Sequence, residues 1–274
     1  MPPYEDSDNP TAHTQTARDE AWNPARYDQF QTERAQPFYD LLALVEPHPS
    51  MRVIDLGCGG GALTHELHQR LRAAETVGID SAARMLADSA QHAAPGLSFL
   101  RQDIDDFHPK AAYDLIFSNA ALHWMEDHPR LFHRLRDALH PEGQLAIQLP
   151  ANQDYATHLA AEQTAREQPF EGALRGTTHP RAVLTPTAYA LLLHQLEFTH
   201  QTVRMEVYGH LLDSRESVVD WVRGSLLTWY EGRLSPDLFA RFVERYREIL
   251  FSMVPHEYPF FLPYQRILIH GVLG

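Results

Sequence analysis

"VIDLGCGGGALTHEL", Val53 to Leu67, decides the fold. The apolar run that carries Asp55 reads as a buried strand. Leu63, Leu67 and Leu71, spaced four apart, read as one face of an amphipathic helix. Between them stand Gly57, Gly59, Gly60 and Gly61, four glycines in five positions. Glycine admits positive φ and lets the backbone come close to a ligand, and the helix that follows points its amides at whatever lies there. A bare turn would spend that chain entropy for nothing, so the junction reads as a ligand site.

The pattern repeats outward. "TVGID" (76–80), "LSFLRQD" (97–103), "YDLIFSNA" (113–120) and "QLAIQLP" (144–150) read as further strands. "SAARMLADSAQHA" reads as a helix N-capped by Ser81. "HPRLFHRLRDALHPEG" reads as a helix with Leu131, Phe132, Leu135 and Leu139 on one face, stopped by Pro141 and Gly143. Alternating strands and helices predict an α/β fold, a Rossmann-like and mostly parallel sheet with helices on both faces. Right-handed crossovers then bring the strand carboxyl ends to one edge, where ligands bind.

Upstream, residues 1–21 are polar and aperiodic and read as a disordered tail. "WNPARYDQF" starts a helix, with Asn23 as N-cap and Pro24 in its first turn; Pro37 bends or restarts it before "FYDLLALV". The core domain is thus expected over 22–150. After Pro150 the rhythm breaks. Residues 151–263 read as a helical cap carrying one core strand at about 200–208, with two strong helices in "SRESVVDWVRGSLLTWYEGRL" and "SPDLFARFVERYREILFSM". Trp221, Trp229 and Tyr230 read first as that cap's own core, "HEYPFFLPY" as a rigid connector, and 264–274 as the final strand.

Composition excludes several classes. The net charge is −13 and there is no Lys/Arg block, which argues against nucleic acid and anionic membrane surfaces. No apolar run approaches the roughly 20 residues of a membrane span, and the first residues lack a secretion signal's pattern. The single cysteine, Cys58, allows neither an intrachain disulfide nor a cysteine metal cluster and suits a reducing cytoplasm. His65 and His68 lie three apart without an evident acidic third ligand, so no metal is expected.

Two ligands compete for the glycine turn. Gly57-Cys58-Gly59-Gly60-Gly61-Ala62 satisfies the dinucleotide pattern G-x-G-x-x-G/A, and Asp80 sits about 20 residues on, where a ribose acid is expected. The other is S-adenosylmethionine (SAM), which has no pyrophosphate. Asp55 sits badly beside a pyrophosphate and suits an ammonium group. Asp80 then accepts from the ribose hydroxyls, Asp103 at the end of strand three accepts from the adenine amino group, Ile104 covers the ring, and Asn119 lies near the methionine end. These acids favour SAM.

"VIDLGCGGG", "GID", "RQDI", "YDLIFSNAALHW" and "HPEGQLAIQLP" together resemble the class I SAM-dependent methyltransferases. "WNPARYDQF…ER", "FSNAALHWMEDH", "LAIQLPAN" and "VVDWVRGS" are similar to the trans-aconitate 2-methyltransferase family, closely over 22–150 and loosely beyond. The resemblance implies an O-methyltransferase that esterifies a carboxylate of a small polycarboxylic acid and releases S-adenosylhomocysteine. It implies that Gly57 and Gly59 line the methionine and ribose, that Ser81 and Met85 sit beside the adenine, and that Arg34 pairs with the SAM carboxylate. Trp22 and Tyr27 would close a lid.

A carboxylate, with a pKa of roughly 4, needs no general base, so no catalytic residue is assigned beyond His123 as a substrate donor and Trp124 as a pocket wall. Arg175, Arg181, Arg223 and Arg233 are the candidates for holding the remaining carboxylates, because the guanidinium fork pairs bidentately. His123 stands where the family often has Gln. Related enzymes acting on a malonyl carrier-protein thioester share the "SNAALHW" text. A nicotinamide oxidoreductase and an inactive SAM-binding module stay open as alternatives, as do monomer and homodimer.

Overall fold

The computed structural model describes residues 31–274. The expected tail, the Asn23 cap, Trp22 and Tyr27 lie outside the described residues. So does the side chain of Arg34.

Seven strands form one sheet in the order β3-β2-β1-β4-β5-β7-β6. They are β1 (Arg52–Leu56), β2 (Glu75–Asp80), β3 (Leu97–Arg101), β4 (Tyr113–Asn119), β5 (Leu139–Pro150), β6 (Phe198–Leu212) and β7 (Phe260–Leu273). β1 to β5 run parallel, and β7 lies antiparallel between β5 and β6. This is the Rossmann-like class I arrangement expected. The strand order reverses between β1 and β4, the place where such sheets open a crevice for a ligand.

Helices cover both faces, which is why the central strands are apolar on alternate residues both ways. Ile54, Ile116, Leu145 and Ile147 meet Leu131, Phe132 and Leu135 of α4 (His128–Ala138) and Tyr189, Leu192 and Leu193 of α7 (Pro186–Gln195). Val53, Leu115, Phe117, Ala146 and Leu268 form the other face. They meet Phe38 and Leu41 of α1 (Gln31–Leu42) and Leu67 and Leu71 of α2 (Ala62–Leu71). Pro37 lies inside α1 and does not end it.

Several boundaries move. Residues 81–93 do not form one helix. A short α3 (Ala83–Leu86) is followed by a 3-10 turn at Ser89–His92, and Ala82, not Ser81, is the N-cap. The Asp80 carboxylate takes the Ala82 amide, and α3 starts without a side-chain cap. Helix α4 ends at Ala138 rather than at Pro141, because Ala111 and Ala112 donate to the carbonyls of Asp137 and Ala138 and Leu139 pairs at once with Tyr113. β7 begins inside the expected connector, since Phe260 to Tyr264 pair with Leu212 to Tyr208.

The chain divides into two compact units. Among the described residues, the sheet unit comprises 31–155, Pro180–Ser214 and Glu257–Gly274. The other gathers Ala156–His179 and Arg215–His256. It is helical, with α5 (Ala156–Ala165), α6 (Phe170–Ala173), α8 (Arg215–Arg223), α9 (Leu226–Glu231) and α10 (Pro236–Met253). The expected helix over 214–234 is two, broken at Ser225. Trp221 and Tyr230 are buried there, and Tyr230 stacks on Phe242, which meets Phe170 edge-on. Among the described residues no helix is long and apolar enough to cross a membrane.

Phe117, fully buried in β4, packs edge-on against Phe38 at 5.4 Å between centroids. Phe117→Ala is expected to remove about 3–5 kcal/mol of stability. Chemical denaturation checks it; a loss under about 1 kcal/mol would mean that this face carries little of the core.

Candidate active site

The turn after β1 is clamped onto β2. The amides of Gly57 and Cys58 both donate to the Ile79 carbonyl, at 2.8 and 3.0 Å, and the Gly59 amide donates to Asp80 Oδ2 at 3.0 Å. Asp80 Oδ1 accepts from the Ala82 amide at 2.9 Å. One carboxylate thus pins the glycine turn and the start of α3.

The glycines divide their tasks. Gly57 has φ +78°, and a Cβ there would lie 2.2 Å from the Ala121 Cβ; Gly61 has φ +83°, and a Cβ would strike the Phe99 ring at 2.7 Å. These two are required by packing rather than by a ligand. Gly59 faces the Met85 methyl, and nothing lies within 4 Å of a Cβ at Gly60. The space expected for a ligand therefore opens at Gly60, with the Met85 methyl 3.1 Å from where a Gly59 Cβ would lie. Helix α2 starts from Gly61 with no side-chain cap, so its first amides point into that space.

Asp55 is buried at the carboxyl end of β1 and accepts from the Thr64 hydroxyl at 2.6 Å. Burial pushes its carboxyl up from 3.8 to about 7; the Thr64 hydrogen bond opposes this and the Asp80 charge adds to it. Burial, with the Asp55 and Asp80 charges, also raises the Cys58 thiol and so disfavours its thiolate.

β3 ends at Arg101, so Asp103 lies two residues past its end. There Asp103 N-caps a 3-10 turn (Ile104–Asp106) through the Asp105 amide at 2.8 Å. Ile104 is half-buried against the sheet core. Asn119 is the last residue of β4; its Oδ1 is buried without a hydrogen-bond partner among the described residues. Next comes the turn Leu122–Trp124, in which the half-buried His123 and Trp124 rings lie 4.8 Å apart. His128 fixes this turn, with one ring nitrogen 3.0 Å from the Leu122 carbonyl and the other on the Tyr189 hydroxyl. Ser81 offers its carbonyl to Arg101 at 3.0 Å.

Asp55, Gly57, Gly59, Asp80, Ser81, Met85, Asp103, Ile104 and Asn119 therefore come together at the carboxyl edge of β1 to β4. The four arginines do not form one group within either unit. Arg181, in the sheet unit, pairs with Asp154 at 2.8 Å. In the helical unit Arg175 is exposed, and Arg233 lies over the Trp229 ring at 4.0 Å. Arg223, half-buried at the end of α8, keeps a buried Nε without a hydrogen-bond partner among the described residues.

Sequence reasoning missed a polar group on the far side of β4. Gln148 in β5 is fully buried, and Arg266 in β7 is 4% exposed. Arg266 donates to Gln148 Oε1 at 3.2 Å and lies over the Tyr264 ring at 4.9 Å. Nearby, the Tyr208 hydroxyl donates to Asp40 of α1 at 2.7 Å. The signal was an arginine inside the apolar run "YQRILIH". Among the described residues no group of three or more His, Cys, Asp or Glu side chains could hold a metal ion.

The raised Asp55 carboxyl fixes the sign of a pH effect. Between its unfolded value near 3.8 and its folded value near 7, the folded state holds a proton that the unfolded state has lost. Its contribution to stability is fully present below 3.8, falls as pH rises through this window, and levels off above 7. Asp55→Asn should gain about 2–3 kcal/mol relative to wild type between pH 5 and pH 8. Urea denaturation at the two pH values measures this; parallel changes in both proteins would refute it.

Residues 47–200, more than half of the chain, match the family model described as a methyltransferase domain. The chain is 42% identical over 242 residues to a trans-aconitate 2-methyltransferase of Deinococcus radiodurans, covering 86% of this chain and 92% of the relative. It is 36% identical to one of Yersinia pseudotuberculosis over 85% of this chain and 90% of that protein. Among solved structures, the YcgJ protein of Bacillus subtilis superposes with a TM-score of 0.58 at 12% identity, covering 87% of this chain and 98% of that one, a likeness of fold alone. Kinship of that depth over most of the length places the chain in the family of the trans-aconitate 2-methyltransferases, among the class I SAM-dependent methyltransferases.

Proposed function

We propose that this enzyme transfers the methyl group of SAM to a carboxylate oxygen of trans-aconitate, giving a monomethyl ester and S-adenosylhomocysteine. The observation that carries the reading is the 42% identity, over 86% of the chain, to a protein with that activity in its name.

The residues at the sheet edge fit the cofactor. Asp55 is a buried acid with one neutral donor on it, and Asn119 Oδ1 is a buried acceptor without a partner among the described residues. Both suit an ammonium group. A carboxylate offers about four acceptor sites, so Asp80 can serve ribose hydroxyls as well as the two amides it holds. Asp103, Ile104, Ser81 and Met85 would border the adenine, with Gly57 and Gly59 along the methionine and ribose. Arg34 would meet the cofactor's carboxylate, and Trp22 and Tyr27 would cover the ligand. SAM when bound supplies a methyl carbon activated by positive sulfur.

The acceptor carboxylate is ionised at neutral pH, so the protein's task is to orient it and exclude water, worth up to about 7–11 kcal/mol. His123 beside Trp124 would donate to it. The one buried thiol is consistent with a cytoplasmic enzyme, which we take to act as a monomer or homodimer.

Transfer of labelled methyl from SAM to a panel of aconitate isomers, citrate, isocitrate and malonyl thioesters tests the substrate. Label in trans-aconitate is expected. Label in thioesters alone would move the substrate class, and none at all with binding intact would leave a binding module. Titration with S-adenosylhomocysteine tests the site. Asp80→Ala should weaken it at least about tenfold, and an unchanged affinity would remove the ribose role. Because an ammonium partner requires ionised Asp55, wild-type affinity should rise with pH toward 7 and flatten above it, with proton uptake by the buffer. A flat profile between pH 6 and 8 would place the ammonium elsewhere.

A further inference from the structure

Asn119 and Gln148 are register partners on adjacent strands, so their side chains share one face of the sheet. It is the face that carries Val53, Phe117, Ala146 and Leu268, and Asp55 and Arg266 lie on it by the same alternation. Gln148 Nε2 is buried without a hydrogen-bond partner among the described residues. A buried amide nitrogen left in this way is expensive and calls for a missing acceptor.

Arg266 decides which end of the amide is left. A guanidinium only donates, so the bond at 3.2 Å must be to Oε1. The two N–H groups then point away from it. Rings at Tyr264 and Tyr208, 4.9 and 6.0 Å from the guanidinium carbon, hold the arginine in its place. The result is a neutral donor with a fixed direction, beside the buried acceptor of Asn119.

The topology says which ligand meets it. The acids suited to the cofactor lie on β1, β2 and just past β3, all on one side of β4, whereas β5 and β7 lie on the other. A group on β5 beside Asn119 therefore lies on the side of β4 away from those acids, the side left for the acceptor acid. We infer that Gln148 donates an amide N–H to one oxygen of the methyl-accepting carboxylate, and that Arg266 is a positioning residue acting through it.

The chemistry favours an amide at this point. A guanidinium laid directly on the acceptor would draw charge from both oxygens through its fork. One neutral N–H holds a single oxygen and leaves the other its lone pairs for attack. Neither Asn119 Oδ1 nor Gln148 is exposed in this structure. Once inside, the carboxylate meets a donor already stripped of water.

The inference rests on the proposed reading of the sheet edge, and the test separates the two. Wild type without transfer to trans-aconitate would sink the substrate reading; the ratio of variant to wild type, measured on whichever acid is labelled, tests Gln148. Gln148→Met keeps the volume and removes the donor. Gln148→Glu keeps a partner for Arg266 and also removes it. Each should raise KM for the acid about 10- to 100-fold while the affinity for S-adenosylhomocysteine stays within about twofold. Arg266→Lys should raise KM with kcat largely kept. An unchanged KM in a folded Gln148 variant, or a cofactor affinity that falls in step with KM, would overturn the inference. Should both variants fail to fold, a wild-type crystal with S-adenosylhomocysteine and the acid decides. An acid oxygen at about 3 Å from Gln148 Nε2 supports the role, and an acid bound elsewhere ends it.

Discussion

The peptide amides of Gly57 and Cys58 share one acceptor, the Ile79 carbonyl, while Gly59 leans on the Asp80 carboxylate. Everything at the sheet edge depends on this clamp. It turns two neighbouring strand ends into one rigid lip, aims α2 across it, and brings Asp55 within electrostatic reach of Asp80. The turn can form only because Gly57 and Gly61 lack a side chain, since a Cβ at either position would meet a neighbouring side chain below 3 Å. The glycines are there as much for the protein as for a ligand.

That rigidity explains how an unfavourable charge arrangement can be tolerated. Asp55 is nearly shut off from water and has one hydroxyl for company. Left to itself it would hold its proton near neutral pH, and its most favourable neighbour is a cation. A site that stores such a deficit is tuned to a cationic ligand and pays for it in the empty state. The same reasoning extends across β4, where Asn119 and Gln148 leave one acceptor and one donor buried without a partner among the described residues. An edge with acids on one flank and a neutral donor on the other suits a molecule that is cationic at one end and an acid partner that is anionic.

Strand–helix alternation was legible because each central strand is apolar and each crossover helix has a clear stripe. The strand-end acids were legible for the same reason: Asp55 and Asp80 end apolar runs. Boundaries were less so. Ser81 has a capping residue's chemistry, but the helix starts one residue later, at Ala83, and has no side-chain cap. Leu139 continues the stripe of α4, yet pairing with Tyr113 draws it into β5. The connector "HEYPFFLPY" became half strand because β6 extends to Leu212 and needs a partner.

What the sequence determined by itself was the local grammar: period-two and period-four patterns, a glycine turn, and acids where strands stop. These follow from side-chain spacing and φ/ψ limits, which neighbours in the chain set. Only the tertiary structure decided which polar groups share a face and which are left unmatched. Gln148 and Arg266 are 118 residues apart, and no local pattern links them. They meet because β7 inserts antiparallel between β5 and β6, and only that pairing buries a guanidinium against an amide and fixes which way the amide points.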